Sequence, residues 1–310
     1  MIHARELTKQ FTTKRGLVTA VDRVDISVAA GEFVGFVGPN GAGKSTTIKM
    51  MCGVLLPTSG ELRVDGLVPA RDRRALTRRM GVRFGQRTQL WWDLPLRDSF
   101  QLVGRLYRMD ERTVSEHLAT LTEVLDLGPL MDVPVRSLSL GQRMRGELVA
   151  AVLPSPTVLF LDEPTIGLDV DAKAAVRTFL ADLNREHGTT VVLTTHDLGD
   201  ISQLCERMVI IDHGHKIYDG SVEGLKQTYA VGRGLVVDVQ ETGPVEVAGA
   251  SVVRQEGHRH WLLVPRDQRV PDVVARLLDG YTVEDLTIEE PDIEDIIRRI
   301  YRDGAVHSRP

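Results

Sequence analysis

The sequence predicts an α/β fold built on buried strands, and three stretches carry that reading. Gly38-Pro39-Asn40-Gly41-Ala42-Gly43-Lys44-Ser45-Thr46 lies between a short apolar run, Phe33 to Val37, and Thr47 to Met51, which reads as the first turns of a helix. Val158 to Leu161 is a continuous apolar run closed by two adjacent carboxylates, Asp162 and Glu163. A run of that kind fits a strand covered on both faces, as in a parallel sheet. From Thr157 to Tyr218 strand-like runs alternate with helical patterns, the order of an α/β sandwich.

The glycine-rich loop has a definite chemistry. With no Cβ atoms in the way, backbone N–H groups can wrap a polyphosphate. The following helix adds the positive end of its dipole. Lys44 has the reach to meet the β- and γ-phosphates, and the Ser45 hydroxyl suits magnesium. The stretch therefore predicts binding of a nucleoside triphosphate.

Taken in order, Ala4 to Phe11 and Leu17 to Val28 read as paired strands around a turn at Thr12 to Gly16. The helix after the loop should stop near Gly53, with Pro57 beyond it. Glu61 to Gly66 and Met80 to Gln86 read as strands. Residues 87–150 look helical: Val114, Leu118, Leu121 and Leu125 recur on one face, and Asp110 suits the N-cap. Ser139 and Gly141 open a further helix, Gln142 to Val152. The paired carboxylates after Leu161 fall where ligand sites of open parallel sheets lie, and unpaired buried charge is costly. Val176, Phe179, Leu180 and Leu183 mark a helix stopped by Gly188. A buried strand, Thr189 to Thr195, then ends in His196-Asp197, followed by a short helix and a hairpin. Beyond about residue 230, Leu235 to Val239, Val245 to Val247, Ser251 to Arg254 and Trp261 to Val264 read as short strands. Helices follow at Pro271 and along the stripe Ile293, Ile296, Ile297, Ile300 and Tyr301.

Bulk properties narrow the class. The chain has 310 residues, 42% hydrophobic and 26% charged, and a net charge of −5, against a bulk nucleic-acid binder. Arg71, Arg73, Arg74, Arg78 and Arg79 form a basic run that reads as a solvated helix face. Cys52 and Cys205 are far apart and favour a reducing compartment over a disulfide framework or a zinc site. His213, His215, His258 and His260 read as surface histidines. No signal peptide and no membrane-spanning run is expected, so work at a membrane would need another chain.

Several motifs in order resemble the nucleotide-binding subunit of an ABC transporter. The phosphate loop matches Walker A, Gln86 the Q-loop and Leu138-Ser139-Leu140-Gly141-Gln142 the family signature Leu-Ser-Gly-Gly-Gln. Leu159 to Glu163 matches Walker B, Gly167-Leu168-Asp169 the D-loop, and His196 the switch histidine. Phe11 stands where the family has an adenine-stacking aromatic. The resemblance implies a P-loop ATPase domain over residues 1–228, with a helical signature subdomain near 87–150 and an α+β accessory domain at 229–310. It implies ATP and Mg2+ as ligands. Gly38 to Thr46, Phe11, Ser139, Gly141 and Gln142 would contact nucleotide, and Ser45, Gln86 and Asp162 would hold the metal. Glu163 would polarise the attacking water, helped by His196, with Lys44 neutralising phosphate charge.

The same resemblance implies a dimer in which Ser139 and Gly141 of one copy close the nucleotide bound by the other, with Asp169 at the seam. Leu140 stands where the general signature has glycine. Ser139 to Arg145, Asp162 to Asp169 and Thr194 to Asp197 are similar to bacterial efflux ATPases, which implies export through a separate membrane permease at the cytoplasmic face of the inner membrane. Trp91-Trp92 is either part of the groove that meets the permease or a plain core or surface pair. ABC-type ATPases acting on ribosomes or DNA usually carry paired cassettes, a coiled-coil insertion or zinc modules. None is visible here, and no nucleic-acid partner is expected.

Overall fold

A computed structural model describes residues 1–14, 16–85, 88–195, 197–290 and 293–307, with residues 302–307 by backbone alone. The chain divides into two compact units, Met1–Val222 and Glu223–Pro310. In chain order the first runs β1 (Ile2–Thr13), β2 (Gly16–Val28), β3 (Phe33–Val37), α1 (Lys44–Met51), β4 (Ser59–Val64), α2 (Arg73–Thr77), β5 (Met80–Arg83) and α3 (Leu96–Leu106). It continues through α4 (Glu111–Val124), α5 (Leu140–Val152), β6 (Val158–Asp162), α6 (Val170–His187), β7 (Thr190–Thr194), α7 (Leu198–Leu204), β8 (Arg207–Asp212) and β9 (His215–Ser221).

These strands make two sheets. The larger has the order β5-β6-β7-β3-β8-β9, parallel except for the edge strand β9. Every residue of β3 and β7 is buried, as central parallel strands require. The smaller sheet, β2-β1-β4, is antiparallel. Its hairpin is longer than the sequence suggested. Thr12 lies in β1 and pairs with Leu17, and Thr13 pairs with Gly16, so cross-strand bonding reaches into the expected turn. Ile2, Leu7, Val24 and Ile26 of the small sheet share a core with Val34, Phe36, Phe160 and Val209 of the large one and with Ile48, Met50 and Met51 of α1. Each such side chain contributes roughly 1.5–3 kcal/mol on burial.

The parallel pairing sets the site. Phe36 faces Thr194 across β3 and β7, and Asp162 faces Thr194 across β6 and β7. The carboxyl ends of β3, β6 and β7 therefore lie side by side, where open parallel sheets bind ligands. The helical stretch forms as its apolar spacing predicts. Leu96, Phe100, Val114, Leu118 and Leu125 are buried, and Asp110 caps α4 by accepting from Thr113 N at 2.9 Å. Arg145 of α5 closes the other end of α4 by donating to Leu125 O at 2.8 Å. The basic run is exposed at most positions, with Arg71 paired to Asp72 and Arg79 to Asp65.

The second unit follows α8 (Val222–Tyr229) with β10 (Gly232–Val239), β11 (Ser251–Glu256), β12 (Arg259–Pro265), α9 (Val270–Gly280), β13 (Val283–Glu289) and α10 (Ile293–His307). Its sheet, β11-β12-β10-β13, is antiparallel throughout, and α9 packs Val273 and Leu277 on Leu235, Val237, Leu262 and Val264. Three expectations change here. Val245 to Val247 is not a strand: Val245 is apolar because it is buried in this core, and Pro244 before it has no N–H for a ladder. β13 went unread because its charge-rich sequence, Val-Glu-Asp-Leu-Thr-Ile-Glu, shows little apolar content, yet it pairs with β10 from Gly234 to Val239. His260 is fully buried rather than on the surface, its ring nitrogens each 3.1 Å from a carbonyl, those of His258 and Gly243.

Candidate functional site

β3 delivers the glycine-rich loop, and close packing explains where its glycines fall. A Cβ on Gly38 would stand 2.2 Å from Ile211 O of β8, and one on Gly43 would stand 2.4 Å from Ala20 O of β2. Gly43 also takes φ 111, open to glycine but strained for other residues. Gly214, in the β8–β9 turn, donates to Ala42 O at 2.9 Å. The loop is thus seated between two hairpins. α1 begins at Lys44, earlier than its apolar pattern suggested, with no side chain capping it, so its positive end faces the loop. Thr47 fixes the first turn, its N and Oγ1 donating to Gly43 O at 2.9 and 3.0 Å.

Lys44 is buried, and its Nζ donates to Gly38 O at 2.5 Å and Pro39 O at 3.1 Å. Burial pulls its pKa below the ordinary lysine value, while Glu163 and Asp162 push it back up. A buried cation held by loop carbonyls and facing two carboxylates is a seat for concentrated negative charge. Asp162 ends β6, where its Oδ1 accepts from Thr194 Oγ1 at 2.5 Å. Glu163 turns away from the strand at φ 57, with its N donating to Thr194 O at 2.8 Å. A left-handed glutamate costs on the order of 1–3 kcal/mol and persists where its surroundings hold it. Here Thr194 holds it on one side. On the other, Arg83 of β5 donates to Asp162 O at 2.6 Å and Glu163 O at 2.8 Å.

Ser139 is the N-cap of α5. Its Oγ accepts from Gln142 N at 3.2 Å, and Gln142 Oε1 accepts from Ser139 N at 2.9 Å, a reciprocal capping box. Leu140, half-exposed, lies over Gly167: a Cβ on Gly167 would come within 2.5 Å of Leu140 Cδ2. Gly141 faces Leu168 in the same turn. Asp169 caps α6 by accepting from Ala172 N at 2.8 Å. Phe11, on β1 opposite Val18, carries Lys9 Nζ 5.1 Å from its ring centroid. Trp91 and Trp92 are exposed, with Arg143 stacked on the Trp92 ring.

The structure thus gathers Lys44, Asp162 and Glu163 at the carboxyl ends of the central strands, with Ser45 and Thr46 in the first turn of α1. Ser139, Gly141 and Gln142 make their contacts with one another and with the Gly167–Leu168 turn. Gln86 and His196 lie outside the described residues. Their neighbours are tied in: Gly85 O accepts from Arg83 at 3.1 Å, and Thr195 Oγ1 donates to the buried carboxylate of Asp200 at 3.0 Å. Asp200 also accepts from Thr165 Oγ1 at 2.5 Å and from Arg177 at 2.6 Å. Sequence reasoning missed Arg83, Thr194 and Asp200. Arg83 had a signal, a charge inside an otherwise apolar strand. Thr194 and Asp200 had none.

Residues 21–166 match the family model described as ABC transporter. The chain is 30% identical over 228 residues to the ABC transporter ATP-binding protein NatA of Bacillus subtilis (strain 168), covering 74% of this chain and 92% of that one. It is 33% identical over 292 residues to the daunorubicin resistance ATP-binding protein DrrA3 of Streptomyces coeruleorubidus, covering 92% of each. Two solved dimers of one bacterial ABC transporter cassette, one described as a post-hydrolysis state bound to ADP and Pi, superpose with TM-score 0.66 at 26% identity, covering 72% of this chain and 99% of theirs.

Proposed function

This chain belongs to the family of ABC transporter ATP-binding proteins, and on that premise we propose a specific division of labour among its residues. As a member it binds and hydrolyses ATP, and cassettes of this family work as dimers with membrane permease components. Among the described residues no helix is long and apolar enough to cross a membrane.

In our reading the backbone of Gly38 to Thr46 wraps the phosphates, and Lys44 exchanges its loop carbonyls for the β- and γ-phosphates. The observation that carries this is the seat itself: a buried lysine beside Asp162 and Glu163, under a loop with no space for a Cβ at Gly38 or Gly43. Phe11 stacks on the adenine. Ser45 and Asp162, with Gln86, offer hydroxyl, carboxylate and amide oxygens, a donor set that suits Mg2+. That ion, when bound, draws charge from the transferring phosphate. Glu163 accepts a hydrogen bond from the attacking water and polarises it. The water oxygen bonds to the γ-phosphorus as the bond to the bridging oxygen breaks, a proton of that water passes to an oxygen of the phosphate formed, and ADP leaves with the bridging oxygen. His196 steadies water and carboxylate. Ser139, Gly141 and Gln142 of a second copy close the site.

The partners we propose are that second copy and a permease that receives the motion, with the chain at the cytoplasmic face of the membrane. Export is supported by the likeness, at 36% identity, to two proteins named for Nod factor export. Trp91 and Trp92, exposed, are proposed to meet the permease. The test is Glu163→Gln. It should bind ATP, accumulate as a dimer and turn over about a hundred- to ten-thousandfold more slowly. Turnover at the wild-type rate refutes the role. Copurification of a polytopic membrane protein supports the transporter reading, and ribosomes or DNA in its place overturn it.

A further inference from the structure

β5 ends on an arginine that is 2% exposed. Taking a guanidinium out of water is costly, and it persists only where hydrogen bonds repay much of that cost; here both terminal nitrogens are bonded, while Nε has no partner among the described residues. The partners of Arg83 are chiefly backbone carbonyls. Nη1 donates to Asp162 O at 2.6 Å and Glu163 O at 2.8 Å, and Nη2 donates to Gly85 O at 3.1 Å and lies against Met144 Sδ of α5. Successive carbonyls of a strand point in opposite directions. The left-handed turn at Glu163, φ 57, brings those of 162 and 163 onto one side, where one nitrogen meets both.

A second buried charge acts on the same stretch. Glu147 of α5, 3% exposed, accepts from Gln89 N at 3.0 and 2.9 Å and from Thr88 Oγ1. Gly85 is therefore held by Arg83, and Thr88 and Gln89 by α5. Arg83 touches three parts: the backbone of Glu163, the carbonyl of Gly85 and the helix that Ser139 opens. A planar fork spreads its donors over separate nitrogens, whereas an ammonium carries its three on one atom and reaches widely spaced acceptors less well.

We propose that Arg83 is a positioning residue for hydrolysis, holding the Glu163 backbone in its turned conformation and tying it to Gly85 and to α5. Seating of α5 by a partner copy is thereby communicated to the residue that polarises water. The proposal rests on that role for Glu163.

The test uses the full chain, with steady-state ATP turnover for Arg83→Met, Arg83→Lys, Glu163→Gln and the double variant Arg83→Met/Glu163→Gln. Arg83→Met should lower kcat roughly ten- to a hundredfold, the scale of a small misplacement. KM for ATP should move by less than about threefold, since the loop is untouched. Arg83→Lys should recover part of the loss. In the double variant the Arg83 change should add nothing to Glu163→Gln, and the ATP-dependent dimer should still form. Wild-type kcat in Arg83→Met overturns the proposal, and so does a double variant in which the two losses multiply. Loss of ATP binding and of the dimer, with no recovery in Arg83→Lys, also overturns it, as a merely structural role. Glu163→Gln alone turning over at the wild-type rate removes the underlying reading instead.

Discussion

Ser139→Gly and Ser139→Ala separate two tasks held by one hydroxyl. At the start of α5, Ser139 Oγ accepts from Gln142 N at 3.2 Å. In the proposed dimer the same oxygen faces the nucleotide of the other copy. Replacing a serine N-cap by alanine costs about 1 kcal/mol, and by glycine a few tenths. For a unit the size of Met1–Val222, 1 kcal/mol moves the melting midpoint by about 2–4 °C. Ser139→Ala should therefore melt about 2–4 °C lower, and Ser139→Gly within about 1 °C of wild type. Both remove the hydroxyl. A hydrogen bond to a charged group is worth about 1.5–3 kcal/mol, so both should weaken ATP-driven dimerisation at least tenfold, to roughly the same degree. Thermal denaturation without nucleotide reads the first effect. Sedimentation of the variants on the Glu163→Gln background, titrated with ATP, reads the second. Equal melting for alanine and glycine refutes the cap argument. A glycine variant that dimerises like its parent refutes the contact with nucleotide.

Gly43→Ala places a methyl 2.4 Å from Ala20 O at a φ of 111 and should abolish ATP binding, destabilising the chain by more than about 1 kcal/mol; calorimetric titration showing wild-type affinity would count against the packing described. Burial lowers the pKa of Lys44 in the free protein, and phosphate favours its charged form. At alkaline pH, between the free and bound values, binding should take up a proton and affinity should fall as pH rises. Titrations in buffers of different ionisation enthalpy measure that uptake, and proton release there contradicts the assignment.

The parts legible in the sequence are those whose cause is local. The phosphate loop is a backbone requirement written as glycines, Ser139 is a helix-opening residue set just before a helical run, and the run before Asp162 is a strand covered on both faces. What escaped depends on backbone pairing and packing that the local pattern of side chains does not show. Arg83 makes sense only once β6 lies beside β5 and the turn at Glu163 aligns two carbonyls. His260 looked like a surface residue because its acceptors, the carbonyls of His258 and Gly243, are not visible as side chains. β13 carries little apolar content because it is an edge strand, and its identity as a strand is supplied by β10.

The contact between Leu140 and Gly167 limits how these two positions can drift. With leucine at 140, any side chain at 167 would begin 2.5 Å from Leu140 Cδ2. Removing the leucine lifts that clash but leaves the φ of 73 at Gly167, which by itself disfavours most replacements. Position 167 is thus barred chiefly by its backbone, since Leu140 can turn its side-chain tip aside, whereas 140 carries no such backbone constraint. A lineage can shed the leucine in one step, but it can change the glycine only after remodelling the turn.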